Sequence, residues 1–189
     1  MKLKALATIC KQNSRFCLID RIDPKTGEAI EQWLGNGNAA FPLYGMPTLT
    51  EDNIPVIFDI TEKQLEKIHI TQTAASDGIN FTDTDKKEIL LEREKTTMGY
   101  AGRVVRPLLT STGLVFIDDD YLSPLADVAD ELELYERHDT SGGIYITAKV
   151  GLMIAGVILP LNIIDEKLVD YMETLAAKCR AALNMKGGE

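Results

Sequence analysis

The chain has 189 residues, 45% of them apolar, with 20 basic against 29 acidic side chains and a formal charge of −9. That apolar share is enough for a full core and excludes disorder of the whole chain. The acidic balance excludes a surface built to condense onto phosphates, no basic run being longer than Lys86-Lys87, so direct nucleic-acid binding is not expected.

Leu3, Leu6, Ala7 and Cys10 recur at helical spacing, so the chain opens with a short helix that buries one face. Residues 15–20, 28–34 and 39–44 read as three strands joined by the turn chemistry of Asp23-Pro24-Lys25-Thr26-Gly27 and Gly35-Asn36-Gly37, which makes a meander. Pro42, Gly45 and Pro47 end the pairing. Thr61 with Gln64 three residues on is a capping box, opening a helix that buries Leu65 and Ile68. Residues 71–99 turn polar and read as a linker, with a helix-like island over 83–95 carrying Ile89, Leu90 and Leu91.

Beyond it, 103–109 and 113–118 form a hairpin around Thr110-Ser111-Thr112, and 121–125 suggests a helical turn. Residues 131–137 alternate, with Leu132, Leu134 and Glu136 on one face, and 144–149 alternate again after the hairpin loop 138–143. The apolar run 150–161 contains two glycines and a proline and falls short of the ~20 residues a bilayer needs, so it reads as core strand. The last helix puts Leu168, Val169, Met172, Leu175, Ala176, Cys179, Ala182 and Leu183 on one stripe, and Gly187-Gly188-Glu189 reads as a frayed end.

An internal echo runs through these elements. Residues 15–20 and 113–118 both end on Ile-Asp, and 56–65 is matched by 159–168. The expected fold is therefore α+β: two related antiparallel β-meander units, each closed by a helix, with boundaries at 1–70, 71–99 for the polar helical linker, and 100–189.

Cys10, Cys17 and Cys179 are too scattered for a disulfide framework, which implies a reducing compartment, and no signal-peptide pattern opens the chain. A cytoplasmic protein is expected. No Gly-rich phosphate loop is present and no cofactor is expected. Asp118-Asp119-Asp120 ends a strand; if a divalent ion is held at all, its oxygens come from Asp118 and Asp120 together with Asp20. His138, Asp139 and Ser141 are neighbours in one turn and cannot converge as a triad from separate elements, and Asp139-Thr140-Ser141-Gly142 reads as that turn. Trp33, Phe41 and Phe16 read as core of the first meander, with Tyr44 as its outward-facing aromatic.

The strings Arg15-Phe16-Cys17-Leu18-Ile19-Asp20, Gln32-Trp33-Leu34-Gly35-Asn36-Gly37, Phe41-Pro42-Leu43 and Pro47 resemble the start of a group of prophage and mobile-element proteins of Gram-positive gut bacteria. Residues 113–118 and Glu133-Leu134-Tyr135-Glu136-Arg137 resemble its later part. The resemblance carries no function; it implies a setting in which small acidic proteins without catalytic motifs are inhibitors or adaptors that act by occupying a host surface.

The leading expectation is therefore a non-enzymatic acidic binding protein, an inhibitor of a host defence system that meets a basic, nucleic-acid-binding host protein through Asp118, Asp119, Asp120, Asp127, Asp130, Glu131 and Tyr44. The alternatives are a divalent-metal phosphoesterase or nuclease using Asp20, Asp118 and Asp120, and a clamp-like replication accessory. Open strand edges make a homo-oligomer part of each expectation.

Overall fold

In the computed structural model, residues 1–186 are described apart from 24, 77, 93 and 94. Helix α1 (Leu3–Gln12) buries Leu6, Ile9 and Cys10 at the spacing of one helical face. Strands β1 (Arg15–Ile22), β2 (Ala29–Gly35) and β3 (Ala39–Pro42) follow as antiparallel neighbours. The Asn36 side-chain oxygen accepts from the Asn38 and Ala39 amides at 2.9 Å and so shapes the second turn.

The chain then crosses the sheet through two single-turn helices, α2 (Ile54–Ile57) and α3 (Glu62–Leu65). The Thr61/Gln64 capping box is present, but α3 lasts one turn, Leu65 is exposed and Ile68 is only half-buried. The crossover ends in β4 (His69–Ala74), which pairs with β1 in parallel, Arg15 opposite His69. Residues 71–99 do not stand apart as a linker. They contain most of β4, the short β5 (Ile89–Leu90) and the start of β6 (Met98–Tyr100), and the expected helical island holds a strand and turns, with Arg93 and Glu94 outside the described residues.

Strands β6, β7 (Arg103–Thr110) and β8 (Gly113–Asp118) make a three-stranded sheet. A 3-10 helix (Asp119–Val128) leads into β9 (Leu132–His138), β10 (Ile144–Val150) and β11 (Met153–Ile158). These return to the first sheet, whose order is β4-β1-β2-β3-β11-β10-β9-β5. The protein is thus α+β, with one eight-stranded mixed sheet drawn from both ends of the chain.

The two meanders meet at a seam, Ala39 opposite Ile158 and Ala40 opposite Val157. Across it the order reverses, β1-β2-β3 against β11-β10-β9. α1 precedes the first set, the 3-10 helix precedes the second, and the two helices pack on each other. The Ile-Asp echo does not mark equivalent places: β1 lies inside the large sheet, whereas β8 lies in the small one. By order, the counterpart of β1 is β9.

Alternation along the strands divides the core. One face sets Phe16, Leu18, Leu34, Phe41, Leu134, Ile146 and Ile158 against α1 and against Tyr121, Leu122 and Leu125 of the 3-10 helix. The other face sets Trp33, Ala40, Tyr145, Ile154 and Val157 beneath Phe81, whose ring meets Trp33 edge-on at 4.8 Å. The last helix, α4 (Glu166–Lys186), does not close a unit: Leu168 is buried against Val105 and Phe116, and every described side chain beyond it is exposed.

The seam and the β2–β3 turn beside it rely on close approach. A Cβ on Gly35 would run into the Ala39 carbonyl, and one on Gly156 would sit 2.9 Å from the Phe41 ring. Gly156→Val is expected to lower stability by ~1–3 kcal/mol through this overpacking, as measured by urea unfolding.

Candidate functional site

The acidic residues singled out in the sequence do not form one free surface. Asp118 is buried, ion-paired with Arg103 at 3.0 Å, and caps the 3-10 helix by accepting the Asp120 amide at 3.1 Å. Asp119 binds Arg106 at 2.7 Å, and Asp127 meets Lys2 at 2.8 Å on the surface. Asp120, Asp130 and Glu131 remain exposed.

Asp20 lies in the other sheet, accepting from Gln32 at 2.8 Å and Gln72 at 2.6 Å. The proposed metal set Asp20, Asp118 and Asp120 is therefore not assembled: among the described residues no three His, Cys, Asp or Glu side chains gather closely enough to share an ion. Asp139 serves its turn, accepting from the Ser141 hydroxyl at 2.7 Å and from the Gly143 and Ser141 amides at 2.8 Å, which holds its carboxyl below the usual range.

Two buried acid networks fix the sheet instead. Glu136 accepts the Ser111 amide at 2.7 Å, the Ser111 hydroxyl at 2.5 Å and a bond from His138 Nε2 at 2.8 Å. It pins the tip of the β7–β8 hairpin to β9. Ser111, Glu136 and His138 are residue types of acyl transfer, but here Ser111 and His138 both address the carboxylate, and the other ring nitrogen faces the Gly142 carbonyl. The Ser111 hydroxyl is committed to Glu136 and both imidazole nitrogens face other groups, so the three are not arranged as base and nucleophile.

On the opposite face, Arg137 is fully buried and holds the segment 80–88 over the sheet. Its guanidinium donates to the Asn80, Thr82 and Asp83 carbonyls at 3.1, 2.8 and 3.3 Å and to Glu88 at 2.5 Å. Glu88 also meets Lys149 at 2.8 Å, and Lys149 lies 4.8 Å from the centre of the Tyr135 ring. Burial by itself would raise Glu88, but the bonds from Lys149 and Arg137 outweigh it and hold the carboxyl below its ordinary 4.5. Glu136 is lowered in the same way by Ser111 and His138 against its burial.

Beside this cap lies a groove in two parts that share Tyr44, Met46 and Met153. Its polar part, about 480 Å³, begins at the facing pair Arg21 and Glu31 of β1 and β2, which are joined by an ion pair. Gln32 builds the wall: its side chain bonds both the amide and the carbonyl of Leu49, at 2.8 and 2.9 Å, and its own carbonyl accepts from Leu43. This holds 43–49 as a rim and leaves Tyr44 half exposed. Asp83 enters from the cap, where it accepts the Ile154 amide at 2.8 Å. The apolar part, about 400 Å³, is lined among others by Met1, Leu3, Leu125 and Val128.

Partial burial, the bond to Glu31 and the charge of Asp83 raise the Tyr44 phenol, which stays protonated and acts as a hydrogen-bonding group. Carboxylates outnumber the single Arg21 at this end. The arrangement can bind a cation beside an apolar group; it holds no nucleophile with a base in reach.

No family model, curated protein or solved structure matches this chain.

Tyr44 is the one sequence-stated contact residue that opens onto the groove. Sequence reasoning missed Arg137, Glu88 and Lys149; the one available sign was Glu136, a charged residue in phase with Leu132 and Leu134, which marks a strand that must satisfy buried charge. Glu88→Gln leaves two buried cations short of their counter-ion and is expected to lower stability by ~3 kcal/mol at pH 7 in urea unfolding. Because the folded carboxyl is held below 4.5, its contribution in the wild type is full above that value and is lost as pH falls through the folded pKa. The variant has lost it throughout, so its stability changes less steeply in acid than that of the wild type.

Proposed function

We propose that this protein is a non-enzymatic binding module that receives a basic, apolar segment of a partner protein in the groove beside Tyr44. The observation that carries this reading is the sharing of Tyr44, Met46 and Met153 between a carboxylate-rich part and an apolar part. A lysine or arginine of the segment meets Glu31 and Asp83, and its apolar neighbours enter between the methionines, whose flexible thioethers adapt to irregular shapes.

The resemblance to prophage and mobile-element proteins supports a host protein as partner and an inhibitory role by occupation. The reducing cytoplasm is the fitting compartment, since all three cysteines are unpaired and burial next to Cys17 pushes the Cys10 thiol up to about 12. No helix among the described residues is long and apolar enough to cross a membrane. A nucleic-acid mimic is the less favoured form of the reading, because Asp118, Asp119 and Asp127 each already face a cation of the same chain. The helix-then-three-strands order on both sides of the β3–β11 seam supports an origin in one unit used twice.

Titration with a fluorescent peptide panel, in which Lys or Arg is set beside Leu, Phe or Met, tests the reading. Binding should weaken at least ~10-fold in Tyr44→Ala and in Met46→Glu, and also in rising salt, while the melting temperature of Tyr44→Ala stays near that of the wild type. A peptide that binds equally well to both variants lies elsewhere and overturns the assignment.

A further inference from the structure

We infer that α4 is a dimerisation element that pairs antiparallel with α4 of a second copy of this chain. The helix is held to the body only at its start, where the Asp165 carboxylate accepts the Leu168 amide at 2.8 Å and the Leu168 side chain is buried with Val105 and Phe116. The remaining turns stand in solvent with Met172 40%, Leu175 45%, Val169 46% and Leu183 68% exposed. A 21-residue helix of about 31 Å whose packing on the body ends at Leu168 is marginal in water beyond that point, since most helical stability in proteins comes from burying an apolar face. This one carries such a face and leaves it bare.

The face is patterned for a helix partner. Val169, Met172, Ala176, Cys179 and Leu183 follow one another at steps of three and four, the alternation of a two-stranded seam. Glu173 and Arg180 flank it on one side, Leu175 and Ala182 on the other. When two copies run antiparallel with Ala176 of one opposite Cys179 of the other, Met172 meets Leu183, and both flanks complement themselves. Glu173 of each copy faces Arg180 of its mate, and Leu175 faces the small Ala182. A parallel pair sets Glu173 and Arg180 two turns apart and loses both ion pairs. It also crowds the two bodies at one end of the helices, whereas the antiparallel pair puts them at opposite ends. The self-complementary charges select a second copy of this chain over a foreign helix.

A contact of one helix pair lies at the small end of specific interfaces, so the dissociation constant is expected in the micromolar range. Sedimentation velocity from about 0.5 to 100 µM should show a monomer–dimer equilibrium. Glu173→Arg and Arg180→Glu should each weaken it about 10-fold, and the double swap should return it to within about twofold of the wild type, since within one helix these residues are too far apart to pair. Melting of the body should be unchanged in all three variants, because the swapped side chains are exposed. The inference is overturned by a monomer over the whole range, by a dimer insensitive to the single swaps, or by a double swap that does not recover.

Discussion

The capture of Arg137 by Glu88 and three backbone carbonyls is the contact on which the second face of the sheet depends. A guanidinium with no exposed surface is tolerable only when its donors are occupied and its charge is answered. The carboxylate and the three carbonyls that answer it all come from the segment between β4 and β5. That segment has little regular structure of its own, and the arginine gives it a fixed path. The path places Phe81 over Trp33 and brings Asp83 to the groove. The Phe81 cap on that face and one carboxylate of the candidate site are therefore consequences of one buried charge.

This explains which parts of the chain could be read from its sequence. Local grammar was legible: the α1 stripe, the strands and turns of 15–42, the capping box and the hairpin loop at Asp139 all depend on neighbours in the chain. The β3–β11 seam was not, because a four-residue strand ending in proline carries no mark of its second partner. The polar run between β4 and β5 looked like a linker because its cohesion comes from a residue about fifty positions away. The α4 stripe was legible as an apolar face, but its spacing says nothing of what covers it: only Leu168 reaches the body, and the described side chains beyond it are exposed.

The acidic composition acquires a different meaning once the partners are known. Carboxylates at 118, 119 and 127 cap a helix or answer cations of the same chain, and those at 88 and 136 sit inside it as structural anchors. The groove offers something smaller and more specific than a field of negative charge: a tyrosine rim, two methionines and two carboxylates, framed by a backbone segment.

The seam between Ala40 and Val157 also dictates the order of events during synthesis. The first meander, α1 and β4 can assemble as soon as they leave the ribosome, but β3 has no neighbour on its free side until β11 has been made. Until then the nascent protein carries an open half-sheet, and the slow, long-range closure of that half-sheet is the step at which the young chain is most exposed to mispairing.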